Sequence, residues 1–143
     1  MNKINPTVSY INAMMAEMSR ERKASAKNMR LGKLIEILSN LPADKPIVTD
    51  TGHPPGQFMS YRGYYEDLAF DAGEEPCTVG EFLERARLAR GKVFTGYKGG
   101  DFPMHDESLL WFSSYGCCSG DGPVGVREED ERVVILIEQC EQD

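Results

Sequence analysis

The sequence predicts a single α+β domain, an antiparallel or mixed sheet with helices packed on one side. Three observations carry this. Leu31, Leu34, Ile35, Leu38 and Leu41 mark one face of a helix that Pro42 ends. Val79, Phe82, Leu83 and Ala86 mark a second helical face. Short apolar runs, Ile47–Thr49, Tyr64–Phe70, Leu109–Phe112 and Val133–Ile137, have the length and composition of strands. A chain of 143 residues, 41% of them hydrophobic, is enough for one core and one domain.

Taken in order, Asn5-Pro6 reads as an N-cap with proline at the first helical position. Ile11, Met14, Met15 and Met18 recur at helical spacing, so a helix is expected to about Met29. Its second part, SRERKASAKNMR, has almost no apolar stripe. Residues 1–30 are therefore expected to form a basic helical arm and residues 31–143 the α+β domain. After the helix over 31–41, the turn ADKP leads into the strand Ile47–Thr49. The prolines and glycines of DTGHPPGQF exclude regular structure and bring His53 to the surface.

In the strand Tyr64–Phe70, Tyr64, Glu66, Leu68 and Phe70 share one face. Tyr65, Asp67 and Ala69 share the other, which is expected to look outward or into a pocket. A loop, Asp71–Pro76, precedes the helix over 78–90. Thr78 and Glu81 form its capping box, and Cys77 with Phe82 a hydrophobic staple. Arg85, Arg87 and Arg90 suit the negative end of the helix dipole. Gly91–Phe94 begins another extended piece, and GYKGGDFPMHDES is expected to be a glycine-broken loop. Leu109–Phe112 continues as a strand through Tyr115, and Val133–Ile137 pairs with Gly122–Val126. The acidic run Glu128–Glu131 makes the turn between them. The expected core includes Leu34, Leu38, Phe82, Leu83, Ile135 and Ile137.

The formal charge is −7, from 16 basic and 23 acidic residues, which disfavours binding of polymeric nucleic acid. The charge is uneven. Residues 1–33 hold seven basic residues against Glu17 and Glu21, a local +5 that leaves −12 for the remainder. That asymmetry predicts a homo-oligomer, with the arm of one copy on the acidic body of another. No run approaches the roughly 18 apolar residues of a membrane span. The opening MNKINPTVSY lacks the apolar stretch of a secretory signal, so a cytoplasmic location is expected. Cys77, Cys117, Cys118 and Cys140 make no C-x-x-C pair, and only His53 and His105 could join them, so no metal is expected.

No Walker loop, G-x-G-x-x-G, H-E-x-x-H or G-x-S-x-G occurs, so neither a cofactor nor a catalytic set is expected. Glu66 and Asp67 are adjacent and point to opposite faces of a strand, so they are no carboxylate pair. Two segments share a vocabulary, SYRGYYEDLAFD and TGYKGGD. Arg62 and Lys98 suit phosphates. Tyr61, Tyr65 and Tyr97 suit stacking on a base. Gly99 and Gly100 offer backbone N–H groups to an anion. Asp67 or Asp101 suits an exocyclic amine or a ribose hydroxyl. Together these residues read as a binding site for a small nucleotide or nucleotide-derived signal. The competing reading gives Arg62 a partner such as Asp67 and makes the tyrosines sheet-face packing.

The strings LGKLIEILSNLPADKPI, SYRGYYEDLAF, TVGEFL and GKVFTGYKGG resemble those of small, mostly uncharacterised proteins encoded by tailed bacteriophages. The likeness covers roughly residues 31–115. It implies no particular activity. It does imply a phage setting inside a host cell, where small single-domain proteins sequester defence signals or block host enzymes. The second function expected from the sequence is accordingly a protein inhibitor that binds a host enzyme through its acidic surface.

Overall fold

The computed structural model describes residues 26–61, 64–95, 100–113 and 120–140, and for residues 61 and 64–66 the backbone alone. The described residues form helices α1 (Leu31–Ser39) and α2 (Val79–Ala89). They form strands β1 (Ile47–Thr49), β2 (Pro55–Tyr61), β3 (Tyr64–Ala72), β4 (Val93–Thr95), β5 (Asp101–Pro103), β6 (Leu110–Ser113), β7 (Asp121–Glu128) and β8 (Val133–Gln139). Six strands make one mixed sheet in the order β1-β8-β7-β6-β3-β2, and β4 pairs with β5 in a small second sheet. This is the α+β fold expected, with the sheet dominating.

Neighbouring strands are antiparallel except for two parallel pairs, β1 with β8 and β3 with β6. Parallel neighbours need a long crossover. Here α2 and the β4–β5 hairpin lie in the chain between β3 and β6. Leu68 and Phe70 of β3, Leu110 and Phe112 of β6, and Val133 and Ile135 of β8 point to one face, against Leu34 and Leu38 of α1 and Phe82 and Ala86 of α2. Phe70 is the aromatic hub: its ring lies 5.3 Å from those of Phe82 and Phe112 and 5.9 Å from that of Phe58, and Phe82 in turn stacks on Phe58 at 5.1 Å. Of the expected core, Leu34, Leu38, Phe82, Leu83 and Ile135 are buried, and Ile137 packs partly buried at its margin.

The two helices begin differently. Thr78 caps α2 through the predicted box: its hydroxyl accepts from the Glu81 N–H at 3.2 Å, and the Glu81 carboxylate accepts from the Thr78 N–H at 3.1 Å. α1 has no side-chain cap. Its first N–H groups instead donate to carbonyls of the 106–108 loop, Leu31 to Ser108 and Gly32 to Asp106, both at 2.9 Å. A Cβ at Gly32 would stand 2.7 Å from the Asp106 Cβ, so glycine is what lets the loop reach the helix. Arg90 and Arg30 hold that loop, at 2.9 Å from Asp106 and 3.5 Å from Glu107.

Three local expectations are corrected. Pro55 and Gly56 begin β2 rather than excluding structure, because β2 is an edge strand and proline at the start of an edge strand loses no ladder donor. Asp101–Pro103, expected in a loop, pairs with β4 as β5. Residues 26–29 are not helical, although the first helix was expected to reach about Met29. The Met29 N–H donates to Pro123 and its carbonyl accepts from Leu110, so the sheet takes the groups a helix would have used. The rest of the arm, with its methionine stripe, lies outside the described residues.

Candidate functional site

The sequence-predicted site falls largely on two hairpin tips. In the first, Tyr61 of β2 pairs with Tyr64 of β3, and Arg62-Gly63 joins them. In the second, Thr95 of β4 pairs with Asp101 of β5, and residues 96–100 join them. Arg62, Tyr97, Lys98 and Gly99 lie outside the described residues, as do the side chains of Tyr61 and Tyr65 and the pair Cys117-Cys118. Gly100 has φ +86°, a conformation that a side chain would strain, and it lets the chain turn into β5. Asp101 is exposed, with the Thr95 hydroxyl 3.4 Å from its carboxylate. The stems are neighbours: β5 lies against β3, and Phe94 and Phe102 pack on the edge of the helix-side core.

Asp67 is the correction. Expected outward or in a pocket, it is fully buried, and its Oδ2 accepts from the Trp111 indole N–H at 2.8 Å. The alternation that put it opposite Leu68 was right, but that opposite face is covered as well. Ala69, Trp111 and Cys140 form a second buried cluster there, with Met59 and Val124 packed against it. A buried carboxylate is costly without partners, and a Trp–Asp hydrogen bond meets part of that requirement. Asp67 thus has a structural partner in place of the ligand amine or hydroxyl assigned to it.

The two described cysteines, Cys77 and Cys140, are explained by packing. Both are free and buried. Burial pushes the Cys77 thiol up, against the opposing pull of the nearby Arg85 charge. Burial likewise raises Cys140, with Lys27 opposing. A thiol held in its neutral form is a poor nucleophile. His53 is exposed, and its backbone carbonyl accepts from the Thr49 N–H and hydroxyl. The His105 Nδ1 accepts from the Glu107 N–H at 3.1 Å. Among the described residues no three histidine, cysteine or acidic side chains gather as a metal group, and no helix is long and apolar enough to cross a membrane.

The structure adds a cleft that sequence reasoning missed. Gln57 and Phe58 of β2, Arg85, Leu88 and Ala89 of α2, and Lys92 line a space of about 180 Å³. Arg85, expected only to complement the helix dipole, donates from Nη1 to the Pro55 and Gly56 carbonyls at 3.3 and 3.1 Å. Lys92 stands 5.3 Å from the centre of the Phe94 ring. Among the described residues neither cation has a carboxylate in ion-pair range, which is notable in a chain of charge −7. Leu88, 69% exposed, is a large hydrophobic side chain left open at this rim. The helical period of α2 does place Arg85 and Leu88 three residues apart, hence neighbours. Without β2, however, nothing in the string indicates what they face.

Comparison with protein-family models, with curated proteins and with solved structures finds no match.

Proposed function

We propose that the protein binds a small nucleotide or nucleotide-derived signal without turning it over. Arg62 and Lys98 meet the phosphates, Tyr65 or Tyr97 stacks on the base, and Gly99, Gly100 and Asp101 complete the contact. The supporting observation is the proximity of the two hairpin stems, β5 against β3, each of which leads to a tip carrying a cation, an aromatic ring and a glycine. A compact anion needs only a local cationic pocket, so an overall charge of −7 does not oppose it. In the phage setting that the sequence suggests, such a protein would act in the host cytoplasm by withdrawing a signal from its receptor.

The inhibitor reading rests on the acidic surface, whose densest part is Glu128–Glu131. Glu128 is already paired with Lys45 at 3.0 Å, and Glu129 with Arg127 at 3.1 Å and Arg132 at 2.9 Å. Internal pairing of two of these carboxylates weakens that turn as a mimic of phosphates, so small-ligand binding takes precedence.

Calorimetry against mono-, di- and cyclic nucleotides and ADP-ribose derivatives tests the proposal. A ligand should bind, remain unconsumed, and lose about 1.5–3 kcal/mol in Arg62→Ala or Lys98→Ala, roughly 10- to 150-fold. No ligand in the panel, or affinity unchanged in both variants, would sink it. Consumption of the ligand would make the protein an enzyme.

A further inference from the structure

β2 is the last strand of the main sheet, with β3 on one side and, among the described residues, no strand on the other. α2 packs beside it, and the cleft of about 180 Å³ opens between strand and helix. We propose that this groove docks an extended acidic peptide of a partner protein, added as a further strand along β2. An aliphatic side chain of the peptide sits on Phe58, Ala89 and Leu88, and a carboxylate lies between Arg85 and Lys92. The site is separate from the nucleotide reading and does not depend on Arg62 or Lys98.

Size, shape and charge each constrain the occupant. The cleft is below the roughly 300–1,000 Å³ of pockets that engulf a small ligand, but it suits one or two side chains of a chain lying across it. A sheet edge presents unpaired backbone groups and selects another polypeptide in extended form. Arg85 covers the carbonyls of Pro55 and Gly56, at the start of the strand. The two cations lack carboxylates in ion-pair range among the described residues, and the apolar side chain of Leu88 is exposed beside them. Aliphatic and acidic residues alternating in one strand would satisfy both.

The test uses the full chain and a fluorescent Val-Glu-Val-Asp-Val peptide, with Val-Gln-Val-Asn-Val as its neutral counterpart. Anisotropy should show the acidic peptide binding and the neutral one much weaker, and amide exchange should slow in β2. Lys92→Glu and Leu88→Asp, both changes of exposed side chains, should each weaken binding about tenfold and leave thermal melting unchanged. Arg85→Lys, which keeps the charge and loses the fork, should bind more weakly than wild type and more tightly than Arg85→Gln. Equal binding of the two peptides, indifference to Lys92→Glu and Leu88→Asp, or no binding at millimolar peptide would overturn the proposal. So would sedimentation showing copies of the chain paired through β2 in a contact that the peptide does not displace. Nucleotide binding should be unchanged in Lys92→Glu and weaken in Arg62→Ala, so each proposal can fail alone.

Discussion

The two faces of the main sheet are buried by different chemistry. The face under α1 and α2 is wholly apolar where β3 and β6 cross it: Leu68, Phe70, Leu110 and Phe112, closed by Phe82. The opposite face alternates polar and apolar groups on the same two strands: Asp67, Ala69, Trp111 and Ser113, all buried. Each face has a buried cysteine, Cys77 with the first cluster and Cys140 with the second. An apolar face is held by area and shape and tolerates some repacking. A buried hydrogen-bonded pair tolerates little, because loss of one partner leaves the other desolvated. The first face therefore supplies most of the stability, and the second fixes how β3 and β6 register against each other.

The largest effect should come from breaking the first face. Phe82→Ala removes the fully buried ring that packs on both Phe58 and Phe70 and should cost about 3–5 kcal/mol, read by urea unfolding. A loss below about 1 kcal/mol would mean that the helix side is not the main core. Breaking the second face should cost less. Trp111→Phe takes the indole N–H from Asp67 and should cost about 1–3 kcal/mol, with Asp67→Asn milder because an amide oxygen still accepts. If Trp111→Phe were neutral, the pair would not hold the register. Trp111 is the chain's one tryptophan, so its fluorescence follows the second face directly. Its unfolding curve should coincide with that from circular dichroism, and a separate transition would show that the two faces open independently.

Smaller again is the cap that aims α2 at the sheet. Thr78→Ala removes the hydroxyl that accepts from the Glu81 N–H, leaving only the backbone arm of the capping box, and should cost about 0.5–2 kcal/mol, whereas α1, capped by the backbone of the 106–108 loop, has no equivalent side chain to lose. The smallest effect compares the two thiols. Burial raises both Cys77 and Cys140. Below the ordinary thiol range both are protonated, folded or unfolded, and their contribution is fully present. As pH rises through that range the unfolded chain ionises first, so stability falls with increasing pH. Cys77→Ala and Cys140→Ala should each flatten the alkaline limb of a stability–pH curve. An unchanged limb in both variants would assign the alkaline loss to other groups.

The string by itself determined the elements whose partners are local. Both helices, the capping box at Thr78, the β7–β8 hairpin and the alternation along β3 follow from period, caps and turns within a few residues, which the backbone reads directly. Only the tertiary structure decided what lay across the chain. It made Pro55–Tyr61 a strand, because an edge position forgives proline, and it capped α1 with carbonyls from residues more than seventy positions away. It also covered the second face of the sheet, which turned Asp67 from an expected ligand contact into the partner of Trp111. It brought Arg85 and Lys92 to one cleft with Phe58, from a helix, a turn and a strand. Alternation along a strand assigns a residue to a face, but it carries no record of whether water or another side chain meets that face.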